Sequence, residues 1–148
     1  MTGIVEQVGR VALGVHQWLY EKSDGRVGQQ IGKLPTLLLR SKGARTGQTR
    51  VAALVYGLDG DGRYIVVASN GGSDRAPCWL HNVRADPHAA VQVGRARKAA
   101  TAEVLTHGPD YDRCWKIVNT VNRYKDGGRY EHYQTLTDRR IPLVVLTT

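Results

Sequence analysis

Apolar residues near the start of the chain recur at every third or fourth position. Ile4, Val8, Val11, Val15 and Trp18 follow this spacing, with polar residues between them. The pattern is typical of an amphipathic helix, and it predicts a helix over about 4–21 followed by a glycine-rich loop. The apolar face is expected to pack on the body of the protein. Contact with a membrane surface is the alternative, because Trp and basic side chains also suit a lipid interface.

From Pro35 onward the apolar pattern changes to short runs rich in Val, Leu and Ile. The runs are TLLLRS, TRVAALVYGL, RYIVVAS, AAVQVG and KAATAEVL, and they predict five strands separated by turns. Two Asp-Gly pairs in LDGDGR at 58–63 predict a tight hairpin between the second and third strands. RIPLVVLTT closes the chain as a sixth strand, with Pro142 indicating a sheet edge or a strand start.

Three further segments are predicted to be helical. RAPCWLHNVRADP at 75–87 predicts a short helix, with Asp74 as its N-cap and Pro77 in its first turn. A second helix is expected over about 109–123, and GGRYEHYQTL predicts a third after Gly127 and Gly128. Because βαβ alternation is absent, this order of elements predicts one small α+β barrel domain. Residues 1–30 would form its N-terminal helix and loop, and residues 31–148 the barrel.

The composition indicates an anionic partner and a reducing compartment. Among 148 residues, 21 Lys and Arg against 13 Asp and Glu give a net charge of +8. This charge suits nucleic acid, a membrane surface, or a phosphorylated or carboxylated small molecule. Cys78 and Cys114 form no CxxC pair, so neither a zinc site nor a disulfide framework is expected. Polar residues interrupt the N-terminal apolar stretch, so neither a signal peptide nor a spanning helix is expected.

A basic segment, RSKGARTGQTR at 40–50, lies between the first two predicted strands. Its glycines allow a tight connection, so cationic side chains and backbone N–H groups could converge on one anion. Arg45 and Arg50 could grip a phosphate bidentately, with Lys42 adding a third charge. Ordinary solvated surface charges are the alternative. A P-loop is excluded, because the string GxxxxGK[ST] does not occur.

A second candidate segment, VASNGGSDRAPCWLHN, runs from a strand into the helix near Pro77. Adjacent glycines let the backbone approach a flat ligand, and the first N–H groups of the following helix are free donors. This arrangement suits a heteroaromatic ring that carries carbonyl acceptors. A plain strand-to-helix connection with Trp79 in the core is the alternative. Ser69 has no GxSxG context, so a nucleophilic serine is not expected.

Tyrosines make a third candidate set. Tyr130 and Tyr133 share one face of a predicted helix, and Tyr124 lies just before it. Their phenols could line an apolar pocket and hydrogen-bond a carbonyl or quinone oxygen. Half-buried packing is the alternative. No pair of histidines has metal-ligand spacing within one element, so no metal is assigned.

Together, three motifs resemble the deazaflavin (F420)-dependent nitroreductase and F420H2-dependent quinone reductase family of actinobacteria. They are GARTGQTR after a TLLL strand, RYIVVASNGGSDRAPCWLHNVRADP, and YQTLTDRRIPLVVL. The resemblance runs from about Pro35 to the C-terminus. It implies a split β-barrel like that of flavin-binding pyridoxamine-phosphate-oxidase relatives, with an N-terminal helix, helices inserted before the last strand, and coenzyme F420 in a groove on the barrel.

The resemblance also implies which residues form the site. F420 carries a phosphodiester and an oligoglutamate tail, and the family's basic hairpin binds this anionic arm, here through Lys42, Arg45, Thr46 and Arg50. The ring system is held by the segment that here contains Ser69, Asn70, Gly71, Gly72, Pro77, Cys78 and Trp79. The acceptor side is carried over to Trp79, Tyr130 and Tyr133, with Ser69, Tyr130 and Tyr133 as candidate catalytic residues.

The expected activity is therefore hydride transfer from reduced F420 to an electron-poor acceptor such as a quinone, an activated enone or a nitro compound. A protein that carries F420 or a flavin without turning it over is the alternative. Nucleic-acid binding rests on charge alone and is not expected, because no motif for it is present. A cytoplasmic location is expected, with peripheral contact at the inner face of the plasma membrane through the N-terminal helix as a further expectation.

Overall fold

The structure, a computed structural model, describes residues 30–31 and 34–148. The N-terminal helix predicted over about 4–21 lies outside the described residues. Across the described part of the chain, no helix is both long enough and apolar enough to cross a bilayer.

The described residues form short strands and three helices in an α+β arrangement. The strands are β1 (Gln30–Ile31), β2 (Leu34–Lys42), β3 (Thr49–Leu58), β4 (Tyr64–Val67), β5 (His88–Val93), β6 (Ala96–Leu105), β7 (Arg123–Tyr124), β8 (Gly127–Gly128) and β9 (Leu143–Thr147). The helices are α1 (Cys78–Ala85), α2 (Pro109–Val121) and α3 (Arg129–Gln134), and a 3₁₀ turn covers Asn70–Gly72.

Six of the strands close into an antiparallel barrel. The sheet order is β1-β2-β3-β4-β9-β6-β5, and β5 pairs back onto β2 with Leu38 opposite Gln92 and Ser41 opposite Ala89. Closure gives each barrel strand a neighbour on both sides, which removes the free edges of an open sheet. The predicted α+β barrel is therefore confirmed.

Alternation along the strands divides the apolar residues between two cores. In β4 and β9, Val66, Val144 and Leu146 point into the barrel, while Ile65 and Val145 point to its outer side. Helix α1 contributes to the barrel core, and α2 and α3 cover the outer core. The residues that α1 places in the barrel core are Trp79, Leu80 and Val83. The outer core holds Tyr111, Cys114, Val118 and Tyr130.

One local prediction is wrong. Asp74 does not cap α1, because the helix begins at Cys78 with Pro77 as its N-cap, and the Asp74 carboxylate accepts a hydrogen bond from Thr137 Oγ1 at 2.7 Å instead. Of the two alternatives for Pro142, the strand start is confirmed, because β9 begins at Leu143. The sheet edge does not apply, since β9 pairs with both β4 and β6.

The predicted 58–63 hairpin is confirmed, and a buried carboxylate organises it. Asp59 accepts hydrogen bonds from the backbone N–H groups of Asp61 (3.0 Å) and Arg63 (2.9 Å), and Arg63 Nε lies 2.6 Å from its other oxygen. Burial alone would raise the pKa of Asp59, but these hydrogen bonds hold it below its ordinary value. The turn therefore joins β3 to β4 in one fixed register.

Candidate functional site

The basic hairpin, residues 40–50, comprises the end of β2, the turn that follows it and the start of β3. Gly43 N–H donates to the Gln48 carbonyl at 2.8 Å, and Gly47 N–H donates to the Gly43 carbonyl at 2.8 Å. The four side chains expected to hold an anionic arm are all exposed on this hairpin: Lys42, Arg45, Thr46 and Arg50. Among the described residues, no carboxylate lies within salt-bridge distance of Arg45 or Arg50. These guanidinium groups are therefore available to an anion from outside.

Asn82 of α1 ties the basic hairpin to the helix. Its Oδ1 accepts a hydrogen bond from Ala44 N–H at 3.0 Å, and its Nδ2 donates to Ser41 Oγ at 3.3 Å. The side chain is buried. Sequence reasoning missed this residue, although an amide between the buried positions Leu80 and Val83 is an unusual choice for a helix face and could have indicated it.

The glycine turn, residues Ser69–Gly72, has an unusual backbone. Asn70, Gly71 and Gly72 have φ angles of 45°, 66° and 85°. Gly72 N–H donates to the Ser69 carbonyl and Ser73 N–H to the Asn70 carbonyl, at 2.9 and 3.1 Å. These bonds leave the N–H groups of Asn70 and Gly71 outside the hydrogen bonding of the turn. Left-handed φ angles favour glycine and tolerate asparagine, which explains the sequence Asn-Gly-Gly.

The two glycines of the turn face different surroundings. A Cβ at Gly71 would meet nothing within 4 Å, so this position is open to a flat ligand. A Cβ at Gly72 would lie 3.0 Å from the Tyr133 carbonyl oxygen and 3.0 Å from a Leu136 methyl. Gly72 therefore lets the turn pack closely against the end of α3. Leu136 itself is 56% exposed, which places an apolar surface beside the turn.

The start of α1 follows the glycine turn. Cys78 is exposed and Pro77 half-buried, whereas Trp79 is buried in the barrel core. The first hydrogen bond at this end runs from Leu80 N–H to the Pro77 carbonyl at 3.1 Å. Any contact of Trp79 with a ligand at the helix start would therefore use its backbone rather than its indole ring.

The structure separates the predicted tyrosine set. Tyr130 is 6% exposed, and its hydroxyl oxygen accepts a hydrogen bond from Asn122 Nδ2 at 3.3 Å. Burial raises the pKa of Tyr130 to about 12, so the phenol is neutral at physiological pH. Tyr133 is half-buried beside the glycine turn, with its ring centroid 6.2 Å from that of Tyr130. Tyr124 instead stacks on His132, with 4.4 Å between the ring centroids.

Comparison with known proteins identifies the family. The sequence pattern of the F420H(2)-dependent quinone reductase family matches residues 13–148. An F420H(2)-dependent quinone reductase of Mycobacterium tuberculosis is 46% identical over 142 residues, which cover 95% of this chain and 92% of that protein.

Solved structures agree with this match. A structure described as an F420-H2 dependent reductase is 34% identical, has a TM-score of 0.65, and is matched over 76% of this chain and 94% of its own. A Listeria innocua protein proposed to be a pyridoxamine 5'-phosphate oxidase is 12% identical with a TM-score of 0.50, over 97% of this chain and 92% of its own. At that identity, the second likeness shows the split-barrel fold alone.

The described residues fit the cofactor of this family. F420 combines a flat ring with an anionic arm, and the chain offers an open turn at Gly71 and exposed guanidinium groups at Arg45 and Arg50. Helix α1 joins the two regions, since it follows the glycine turn and holds the basic hairpin through Asn82. The chain therefore belongs to the F420H(2)-dependent quinone reductase family and is an oxidoreductase that uses reduced F420.

Proposed function

We propose that this protein reduces quinone-like acceptors with reduced F420. The observation that carries the proposal is the close packing of Gly72 against the backbone carbonyl of Tyr133, which places the expected ring segment next to the helix that carries this tyrosine. The exposed Leu136 side chain adds apolar surface there, which suits a quinone ring better than a charged acceptor. The Mycobacterium tuberculosis relative, described as a quinone reductase, supports the same acceptor class.

The basic hairpin would hold the anionic arm of the cofactor. Arg45 and Arg50 would donate charge-assisted hydrogen bonds, with Lys42 as a nearby charge and the Thr46 hydroxyl as a further polar group. Because all four side chains are exposed, they can reorient to follow a flexible arm. Binding at a distance from the ring would supply affinity without occupying the reacting face.

The glycine turn and the start of α1 would hold the ring. The N–H groups of Asn70 and Gly71 can donate to ring carbonyls, and so can the first N–H groups of the helix at Cys78 and Trp79. Ser69 is buried, and its carbonyl accepts the turn's own hydrogen bond, so its contribution would be to fix the turn. Bound F420H2 supplies a hydride from C5 of its deazaflavin ring.

Tyr133 would act on the acceptor. Tyr133 is half-buried at the border of the outer core, and its backbone carbonyl packs against Gly72, so its hydroxyl could donate to an acceptor oxygen on which negative charge develops. Tyr130 is less suited to this role, because its oxygen is buried and already hydrogen-bonded to Asn122. Of the two tyrosines, Tyr133 is therefore the proposed hydrogen-bond donor to the acceptor oxygen.

The test is to add reduced F420 to the purified protein and follow its oxidation with and without menadione, with FMN and NADPH as parallel cofactor controls. We expect menadione-dependent oxidation with F420H2 and not with either control cofactor. An acceptor panel that includes an activated enone and a nitroarene then ranks the alternatives by kcat/KM. Tight F420 binding without turnover would favour a carrier, and a preference for FMN would contradict the cofactor assignment of the hairpin.

Membrane contact and a cytoplasmic location remain predictions from the sequence. The contact depends on the apolar stripe from Ile4 to Trp18, which lies outside the described residues. Co-sedimentation with vesicles that contain anionic lipid tests it, and a protein that stays in the supernatant at low salt would contradict it.

A further inference from the structure

Arg139 reaches back across the fold to the glycine turn. It lies in the loop between α3 and β9, and its Nε donates to the Ser73 carbonyl at 2.9 Å. Its Nη2 donates to the carbonyls of Ser69 at 2.9 Å and Ala68 at 3.2 Å, with a longer contact of 3.5 Å to that of Arg75. One guanidinium therefore donates hydrogen bonds to backbone carbonyls at both ends of the turn.

These contacts are made in a partly desolvated setting. Burial lowers the pKa of Arg139, while the nearby Asp74 carboxylate counteracts this effect. Asp74 is in turn fixed by the hydroxyl of Thr137 at 2.7 Å. A planar guanidinium with five donors can bridge several carbonyls at once, which an ammonium on a flexible stem cannot do in the same geometry.

The loop that carries Arg139 is itself held to α3. Gln134, the last residue of α3, donates through Nε2 to the Arg139 carbonyl at 2.7 Å and accepts at Oε1 from Ile141 N–H at 3.0 Å. Tyr133 directly precedes Gln134. Arg139 is thus connected on one side to the turn and on the other to the helix that presents Tyr133.

We propose that Arg139 is a positioning residue for the cofactor ring: by holding the carbonyls of Ala68, Ser69 and Ser73, it fixes the turn in the shape that leaves the Asn70 and Gly71 N–H groups available to the ring. The backbone gives the physical reason. Three successive residues with positive φ include one that is not glycine, so this shape must be maintained by external contacts. The inference rests on the proposed placement of the ring at the glycine turn.

The experiment compares Arg139→Ala and Arg139→Lys with Arg140→Ala, an exposed neighbouring arginine, as the matched control. Kd for F420, the absorbance spectrum of bound F420, KM for F420H2, kcat and thermal stability are measured for each. Arg139→Ala is expected to weaken F420 binding by about tenfold or more and to shift the spectrum of the bound ring. Arg139→Lys should recover part of the affinity. Arg140→Ala, whose guanidinium lies 5.5 Å from the centroid of the Tyr111 ring rather than at the turn, should match the wild type in F420 affinity and spectrum.

Each outcome decides the inference. A folded Arg139→Ala protein that binds F420 with wild-type affinity and an unchanged spectrum overturns it, as does a variant that loses only thermal stability. If both Arg139 variants fail to fold, ¹⁵N NMR of the wild type decides, because the Asn70 and Gly71 amide signals and the Arg139 Nε–H signal must shift on adding F420. A wild type that does not bind F420 at all contradicts the proposed function instead, so the two failures are distinguishable.

Discussion

Tyr130 and Tyr133 show how residues with the same spacing can have different surroundings. Both belong to α3, and the sequence predicts that they share a face. In the structure Tyr130 packs into the core between the barrel wall and α2, whereas Tyr133 lies at its border beside Gly72. Sequence periodicity finds the shared face but does not tell which of two neighbours is covered, because that depends on where α2 crosses the helix.

We predict that Tyr133→Phe lowers kcat by about tenfold to a hundredfold while Kd for F420 changes little, since the variant removes one donor to developing charge. Tyr130→Phe is the matched control on the same helix, and its kcat should remain within about threefold of the wild type because its oxygen is buried. Steady-state kinetics with menadione and a direct binding assay for F420 give both numbers. Equal losses of kcat and F420 affinity in Tyr133→Phe would contradict the role.

The raised pKa of Tyr130 leads to a prediction of how the stability of the protein depends on pH. Its pKa is about 12 in the folded protein against 10.0 for an unperturbed phenol, so the folded state favours the neutral form. This contribution to stability is fully present below pH 10 and is lost as the pH rises from 10 towards 12. By pH 11 the free energy of unfolding should have fallen by roughly 1 kcal/mol. Urea unfolding at pH 8 and pH 11 tests this.

The comparison for this pH effect is Tyr130→Phe. At neutral pH the variant should be less stable by about 1 kcal/mol, because the buried Asn122 amide loses its acceptor. The difference in unfolding free energy between the wild type and the variant should be smaller at pH 11. Burial raises the pKa of Tyr56 and Tyr111 too. Both residues are present in each protein, so their contributions to the pH dependence cancel in the comparison. A gap that stays constant from pH 8 to pH 11 would show that Tyr130 titrates normally.

At the scale of elements, the hydrogen-bonded junction between the basic hairpin and α1 would connect the two parts of the proposed site. The sequence predicts both elements from the glycines at 43 and 47 and from Pro77, but it does not predict their contact. That contact depends on Asn82, which lies 38 residues after Ala44 in the chain. A hydrogen bond over such a separation has no periodic signature, so only the folded structure shows it.

We predict that Asn82→Ala weakens F420 binding by about threefold to tenfold, because the hairpin loses its bonds at Ala44 and Ser41 and its cationic side chains become less well ordered. His81→Ala, at an exposed position on the same helix, is the control. Binding is compared between F420 and a deazaflavin nucleoside without the phosphate and glutamate arm. The nucleoside should bind both variants equally, and an equal loss for both ligands would place the effect at the ring rather than at the arm.

Whole-molecule topology explains why the site was only partly predictable. The strands, the hairpin at 58–63 and the barrel follow from apolar alternation and turn residues, which are local signals. The proposed site, in contrast, draws on segments far apart in the chain: the basic hairpin, the segment that leads into α1, and the loop before β9. Arg139 lay within a motif recognised in the sequence, yet nothing local indicated that its guanidinium contacts the Ser69 carbonyl.

The charge of the whole molecule leads to a prediction about salt. A net charge of +8 would attract an anionic arm from a distance, and the proposed contacts from Arg45 and Arg50 would add to that attraction on binding. We predict that F420 affinity falls as NaCl rises from low to physiological concentration. Arg45→Ala and Arg50→Ala should each reduce affinity by about 1–3 kcal/mol and flatten the salt dependence.

Lys116→Ala is the matched control, because Lys116 is an exposed cation on α2, a helix that covers the outer core. It changes the net charge of the protein by the same amount as either arginine variant. If net charge alone drives binding, all three variants will lose affinity equally. If the hairpin contacts the arm directly, only the two arginine variants will lose affinity, and they will differ from Lys116→Ala most at low salt, where screening is weakest. Isothermal titration of F420 at two NaCl concentrations separates these outcomes.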